Sequence, residues 1–217
     1  MVRCTLSFCR RFICGVLGCC LVASAGTAVA DSKAAKSAPA SKAEAKAPSP
    51  EEAMMADMMK YATPGEQHKA LAPLVGKWKS TSKMYMSPGE PQVSEGTCER
   101  SWIMGGRFLV GKHAGAMAGS PFEGMEILGY DIRQGQYVTT WFDNMGTCMY
   151  STTAGAMDPA TKTLTLTMPM FDFMSGAMMP YKLVTKIVDQ DTNTFTIVSN
   201  RGGKESTDME ITYTRMK

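Results

Sequence analysis

From Lys77 to Met86 the chain alternates strictly. Trp78, Ser80, Ser82, Met84 and Met86 fall on one side, and Lys77, Lys79, Thr81, Lys83 and Tyr85 on the other. A period of two is the signature of a β-strand, whose successive side chains point to opposite faces. The lysine face must be solvated, so the other face points inward, although two of its residues are serines. Strand-like segments then recur near 92–103, 107–117, 122–132, 136–143, 147–156, 162–170, 180–189, 193–200 and 207–215. Turn residues separate them: Gly105-Gly106, Gly119-Ser120-Pro121, Arg133-Gln134-Gly135, Asp143-Asn144-Met145-Gly146, Asp158-Pro159, Asp191-Thr192-Asn193 and Gly202-Gly203. About ten short strands in up-and-down order predict an all-β chain, an antiparallel β-barrel whose closure removes exposed edges. A β-sandwich is the alternative.

Two short helices are expected before the first strand. Ser49-Pro50-Glu51-Glu52 places a capping residue, a first-turn proline and the acid of a capping box in order. Met54, Met55, Met58 and Met59 then share one helical face, expected to dock on the barrel or cover its opening. Thr63-Pro64-Gly65-Glu66 repeats the start signal; His68, Leu71 and Val75 share a face, and Gly76 ends the helix.

Strand parity carries the strongest local expectation. In the last strand Met209, Ile211 and Tyr213 alternate with Asp208, Glu210, Thr212 and Thr214. The same parity in the second strand puts Gly96, Cys98, Arg100 and Trp102 opposite Val93, Glu95, Thr97 and Glu99. Arg100 then points inward, where a guanidinium requires an anionic or strongly polar partner. The candidates are a ligand carboxylate, Asp143 or Glu126; a bulge that turns Arg100 out is the alternative.

The N-terminus reads as a targeting segment. Arg3, Arg10 and Arg11 precede an apolar run from Phe12 to Ala25, and Ala28-Val29-Ala30 forms a small-x-small cleavage signal before Asp31. The expectation is a signal peptide over 1–30, cleaved after Ala30, and a periplasmic or secreted product with no membrane span after cleavage. Arg10-Arg11-Phe12 is a poor match to twin-arginine export. Acylation at Cys19, after Gly18, is a second reading. Residues 31–50, rich in Ala, Lys, Ser and Pro, lack large apolar side chains and are expected to form a disordered spacer. Residues 51–217 then make one domain.

Cleavage alters the charge argument. Twenty-three cations less three leave twenty, against twenty acids, so the formal charge falls from +3 to zero. A basic nucleic-acid binder is not indicated. Of the cysteines, Cys98 and Cys148 remain, either paired or as isolated apolar fillers.

Three stretches, "GEQHKALAPLVGKW" (65–78), "MGGRFL" (104–109) and "FEGMEILGYDIRQGQYVTTWFDNMGT" (122–147), with the ending "MEITYTR" (209–215), resemble the bacterial DUF1579 family. The resemblance covers residues 64–217 and implies a lipocalin-like (calycin) barrel. Members of that wider fold group bind small hydrophobic molecules, and some bind haem. The positions that carry it are His68, Gly76, Trp78, Gly105, Gly106, Arg107, Gly124, Gly129, Tyr130, Asp131, Trp141, Asp143, Asn144 and Gly146. Glu126 departs from the pattern, where a small residue is usual; it either changes the polarity of the cavity or marks an outward position. The family has no established activity, so the resemblance supplies no catalytic residue.

Site chemistry is sparse. "MPMFDFMSGAMMP" (168–180) holds five methionines. Met168 and Met170 continue the apolar face of Leu164 and Leu166, with Pro169 at an edge or strand end; Met174, Met178 and Met179 are expected in the next turn. Three readings stay open: core filler, apolar ligand mouth, or Cu(I) site. Two histidines, His68 and His113, cannot form a three-histidine metal site, whereas haem needs only one ligand. No nucleophile elbow, zinc-protease helix, phosphate loop or dinucleotide fingerprint is present. No cofactor, metal or catalytic residue is assigned, and the oligomeric state is left open. The expected role is binding of a small hydrophobic molecule, with Trp78, Met84, Tyr130 and Trp141 as wall, Ser80, Ser82, Arg100 and Asp143 orienting a polar end, and Arg107 near the mouth. The alternatives are a filled-barrel structural or interaction protein of the envelope, and a Cu(I) protein using its methionines.

Overall fold

The computed structural model describes residues 47–86, 89–117 and 119–217. The expectations of a signal peptide and of most of the spacer fall on residues 1–46 and lie outside the described residues. Helix α1 spans Pro50–Ala62, with the Ser49/Glu52 capping box in place. Helix α2 (Glu66–Lys69) and a 3-10 turn (Ala72–Leu74) follow. His68 is spent on structure: its Nδ1 accepts the Gly65 N–H at 3.1 Å and caps α2. Among the described residues no helix is long and apolar enough to cross a membrane.

Among the described residues eleven strands make one antiparallel sheet: β1 (Gly76–Met84), β2 (Gln92–Ile103), β3 (Phe108–Met117), β4 (Ser120–Asp131), β5 (Gln136–Asp143), β6 (Tyr150–Ser151), β7 (Ala154–Asp158), β8 (Thr163–Asp172), β9 (Ala177–Ile187), β10 (Thr192–Arg201) and β11 (Lys204–Arg215). Their order is β6-β5-β4-β3-β2-β1-β11-β10-β9-β8-β7, so consecutive strands lie side by side except β6 and β7, which form the two edges, and β1 meets β11. This is the expected up-and-down barrel.

Its two edges are consecutive pieces of one segment, and that is how it closes. The sequence predicts a single strand over 147–156. Instead Tyr150–Ser151 pairs with β5 and Ala154–Asp158 pairs with β8. At the step between them Thr152 N–H donates to Thr139 O at 3.0 Å, and Thr153 N–H donates to Thr167 O at 2.8 Å. Gly155 lies against the Tyr137 carbonyl so closely that a Cβ there would collide with it. Only glycine permits that approach between β7 and β5.

Inside the barrel the predicted parity holds. Trp78, Cys98, Leu109, Leu128, Tyr137, Leu164, Leu183 and Tyr213 are all buried. One end is plugged by Leu71 and Leu74, which join the main core cluster. The other end, where β1 leaves at Met84, is open. Helix α1 corrects an expectation, because it buries none of its residues and Met54, Met55, Met58 and Met59 are all exposed. Met178 and Met179 also differ from expectation. They belong to β9, because the β8–β9 hairpin pairs out to Asp172 and Ala177. Pro169 fits its predicted edge: it lies beyond Thr167, the last β8 residue paired with β7, and faces Pro180 of β9.

Candidate functional site

The barrel encloses a cavity of about 470 Å³, a size typical of small-molecule sites. Its two walls differ. Strands β8 to β11 contribute Leu166, Met168, Met170, Leu183, Phe195 and Ile197. Strands β1 to β5 contribute Ser80, Ser82, Arg100, His113, Glu126 and Thr139.

The polar wall is built by register. β2 and β3 pair Arg100 with Gly111 and Cys98 with His113, while β3 and β4 pair Gly111 with Glu126. Three inward residues of adjacent strands are therefore brought level. Gly111 leaves the room they need, since a Cβ there would sit 3.1 Å from both Glu126 Oε2 and His113 Nε2. Arg100 Nε donates to Glu126 Oε2 at 3.4 Å, so the inward arginine finds the second of its predicted partners. Its guanidinium carbon lies 4.6 Å from the centre of the Tyr213 ring. Nη1 has no hydrogen-bond partner among the described residues. His113 Nε2 lies between Cys98 Sγ at 3.5 Å and Glu126 Oε2 at 3.9 Å.

Electrostatics keep this pair charged. Burial pushes the Glu126 carboxyl upward, but the facing His113 and the Arg100 charge outweigh it and hold the group down at about 2. Burial raises the Cys98 thiol to about 11, so it is not a ready nucleophile. Cys98 and Cys148 are both free thiols, one buried and one exposed, so the paired alternative is not realised.

A second polar group sits higher, where the apolar wall reaches the mouth. Arg201 donates to Asp208 through Nη1 at 3.0 Å and Nη2 at 2.9 Å, and Nη2 also donates to Asp172 Oδ1 at 3.0 Å. Tyr181 donates its hydroxyl to the same Asp172 oxygen at 3.0 Å. The Arg201 hydrogen bond, joined by Ser175 and Tyr181, holds the Asp172 carboxyl well below the usual carboxylate range. Strand parity put Asp208 on the outward face, but the register of β10 and β11 shifts between Ile197 and Val198 and turns it in; Arg201 shares the parity of Phe195 and Ile197 and lies one residue past the strand end expected at 200.

Of the residues expected to line the cavity, Ser80, Ser82, Met84, Arg100, Trp141 and Asp143 do so. Ser82 Oγ is 2.7 Å from Ser94 Oγ. Trp141 is wedged edge-on against His113, with ring centres 5.0 Å apart, and over Gly124, where a Cβ would strike its ring. Trp78, Tyr130 and Arg107 lie outside the lining. Trp78 faces inward but at the plugged end, where its indole donates to Leu74 O at 3.0 Å and Arg215 stacks on it at 4.0 Å. Tyr130 is at the same end, edge-on to Tyr137 and His68. Arg107 is exposed in the β2–β3 turn and donates to Met104 O at 2.9 Å. Parity assigns a face but not a depth, which is why these three were misplaced. Glu126 and His113 share the parity of Leu128 and Leu109, so the alternation of β3 and β4 carried their signal.

The methionines divide by depth. Met168 is only 1% exposed and belongs to the core, and Met170 is half-buried in the cavity wall. Met174 and Met178 are exposed beside Phe173, which is 89% exposed, at the β8–β9 hairpin. Met86 and Met145, also exposed, add to this apolar rim of the cavity.

Several solved structures are similar to this chain. Rv2717c from M. tuberculosis is 14% identical, with 71% of this chain and 100% of that one aligned at a TM-score of 0.50. The S-type phycobiliprotein lyase CPES from Guillardia theta is 10% identical over 71% of this chain and 99% of that one, with a TM-score of 0.47. A redesigned β-barrel is 14% identical over 68% and 96%, with a TM-score of 0.37. At such identities the likeness concerns fold alone. No curated protein matches the sequence. The profile of a family described as "Protein of unknown function (DUF1579)" matches residues 63–215. With strands, closure and cavity all inside that span, the chain belongs to the DUF1579 family.

Proposed function

We propose that this protein is an exported carrier that holds a small, mainly apolar molecule in its barrel. The observation that supports this reading most is the cavity itself: about 470 Å³, one wall mostly apolar, the other bearing a largely buried ion pair. A barrel packed only for stability fills its interior with side chains to near-crystalline density. The exposed apolar rim of Phe173, Met174, Met86 and Met145 gives a greasy molecule a favourable route to the mouth. Ser80, Ser82, Met84, Arg100, Trp141 and Asp143 are the contact residues in this reading. Export, to the periplasm or beyond, rests on the Arg3/Arg10/Arg11 start, the apolar run and Ala28-Val29-Ala30.

Native mass spectrometry of the chain from Asp31 onward, purified from its own compartment, tests the proposal. A retained lipid-like or haem mass supports the carrier. A copper mass favours the methionines as ligands instead. An unladen mass, together with no uptake of an apolar dye, leaves a filled barrel acting through its surface.

A further inference from the structure

An inward arginine at the base of an apolar cavity reads at first as a seat for a carboxylate. The surrounding charges argue otherwise. Arg100 is 5% exposed and already neutralised by Glu126 at 3.4 Å. Across the whole lining two arginines, Arg100 and Arg201, face five carboxylates: Glu95, Glu126, Asp143, Asp172 and Asp208. An anionic head placed beside Arg100 would also lie beside Glu126. In a poorly solvated site that repulsion offsets the attraction it came for. An ammonium head meets the converse problem at Arg100.

What the polar wall leaves unfilled is hydrogen bonding of both kinds. Arg100 Nη1 is a donor without a partner among the described residues. Glu126 accepts through Oε2, and its Oε1 accepts nothing among the described residues. Ser80 lines the same wall and its hydroxyl makes no hydrogen bond among the described residues. A neutral group that both donates and accepts satisfies these atoms without adding charge, and Nη1, the buried one among them, is costly to leave unmet.

We propose that the cavity selects molecules with an apolar body and a neutral donor–acceptor head, an alcohol or amide, and discriminates against fatty carboxylates. The inference rests on the apolar-carrier reading above. Because Glu126 is held down at about 2, it stays an anion, and so an acceptor, at any ordinary pH.

The test is a titration of the delipidated chain at neutral pH with lauryl alcohol, lauramide, laurate and laurylamine, each below its aggregation threshold. The expected result is that the alcohol and the amide bind at least tenfold more tightly than laurate. Glu126→Gln is expected to narrow that gap by freeing Arg100 for the carboxylate. Laurate binding as tightly as the alcohol overturns the head-group inference while leaving the apolar carrier intact. No binding of any of the four overturns the carrier reading itself. Should Glu126→Gln fail to fold, the ranking on the native chain decides alone.

Discussion

Trp141 donates its indole N–H to the carboxylate of Asp143 at 2.7 Å, from two residues back along the same strand. Both side chains face the cavity, so one member of the pair is a built-in optical probe. The other two tryptophans, Trp78 at the plugged end and Trp102, do not line the cavity. A ligand in the barrel is expected to shift the intrinsic emission mainly through Trp141. Trp141→Phe should abolish most of the ligand-induced change while Trp78→Phe leaves it. An undiminished signal in Trp141→Phe would place the ligand elsewhere.

Arg100 and Glu126 are worth little as a pair but much to each other. Arg100→Met leaves a partly buried carboxylate uncompensated and is expected to cost about 3 kcal/mol in denaturant unfolding, the low end for a broken buried pair. The double change Arg100→Met with Glu126→Met should recover most of that loss. Equal destabilisation by single and double variants would mean that arginine packing on Tyr213, and not the ion pair, sets the cost.

Acid should loosen the fold in three places. Glu126 is held down to about 2 from an ordinary 4.5, and Asp172 is lowered from an ordinary 3.8. A depressed carboxyl stabilises the fold above its unfolded value, and the contribution is lost as the pH falls toward the folded one. Unfolding free energy is therefore expected to fall gently below about pH 6.5, because burial lowers the His68 pKa and its Nδ1 must stay an acceptor, and more steeply below about pH 4.5 toward 2. Asp172→Asn should flatten part of that slope, and an unchanged slope would show that Asp172 contributes nothing to it.

The two classes of methionine should separate cleanly. Met168→Ala opens a void in a packed core and is expected to cost about 2–5 kcal/mol. Met174→Ala, at the rim, should change stability by less than about 0.5 kcal/mol. If uptake of an apolar dye is nonetheless slower in Met174→Ala, the rim is part of the route inward.

Alternation made most of this barrel legible. The lysine face of β1, the Met209-Ile211-Tyr213 face of β11 and the inward Arg100 all followed from period two, because a one-residue slip would have buried lysine. Glu126 is one of Arg100's expected partners, and the parity it shares with Leu128 is the signal that turns it inward. Depth along the barrel was not legible. Trp78 and Ser80 share a face, yet one plugs the barrel and the other lines its cavity, since the 3-10 turn at Ala72–Leu74 fills only one end. The Arg201–Asp208 contact was hidden by the register shift in β10 and β11, and the Met54–Met59 stripe suggested a docked helix where the structure keeps it exposed.

The segment from Tyr150 to Asp158 is shared between the two edges of the sheet, and its pairing to β5 is only two residues long. Every other joint in the barrel is a longer ladder. The barrel therefore has a seam, and loosening it opens only the two-residue β5–β6 ladder. In native-state hydrogen exchange the amides of Thr152 and Thr153 should be the first of the barrel wall to take up deuterium. A slit along that line would expose Thr139 and Trp141, giving the cavity a side door distinct from its mouth.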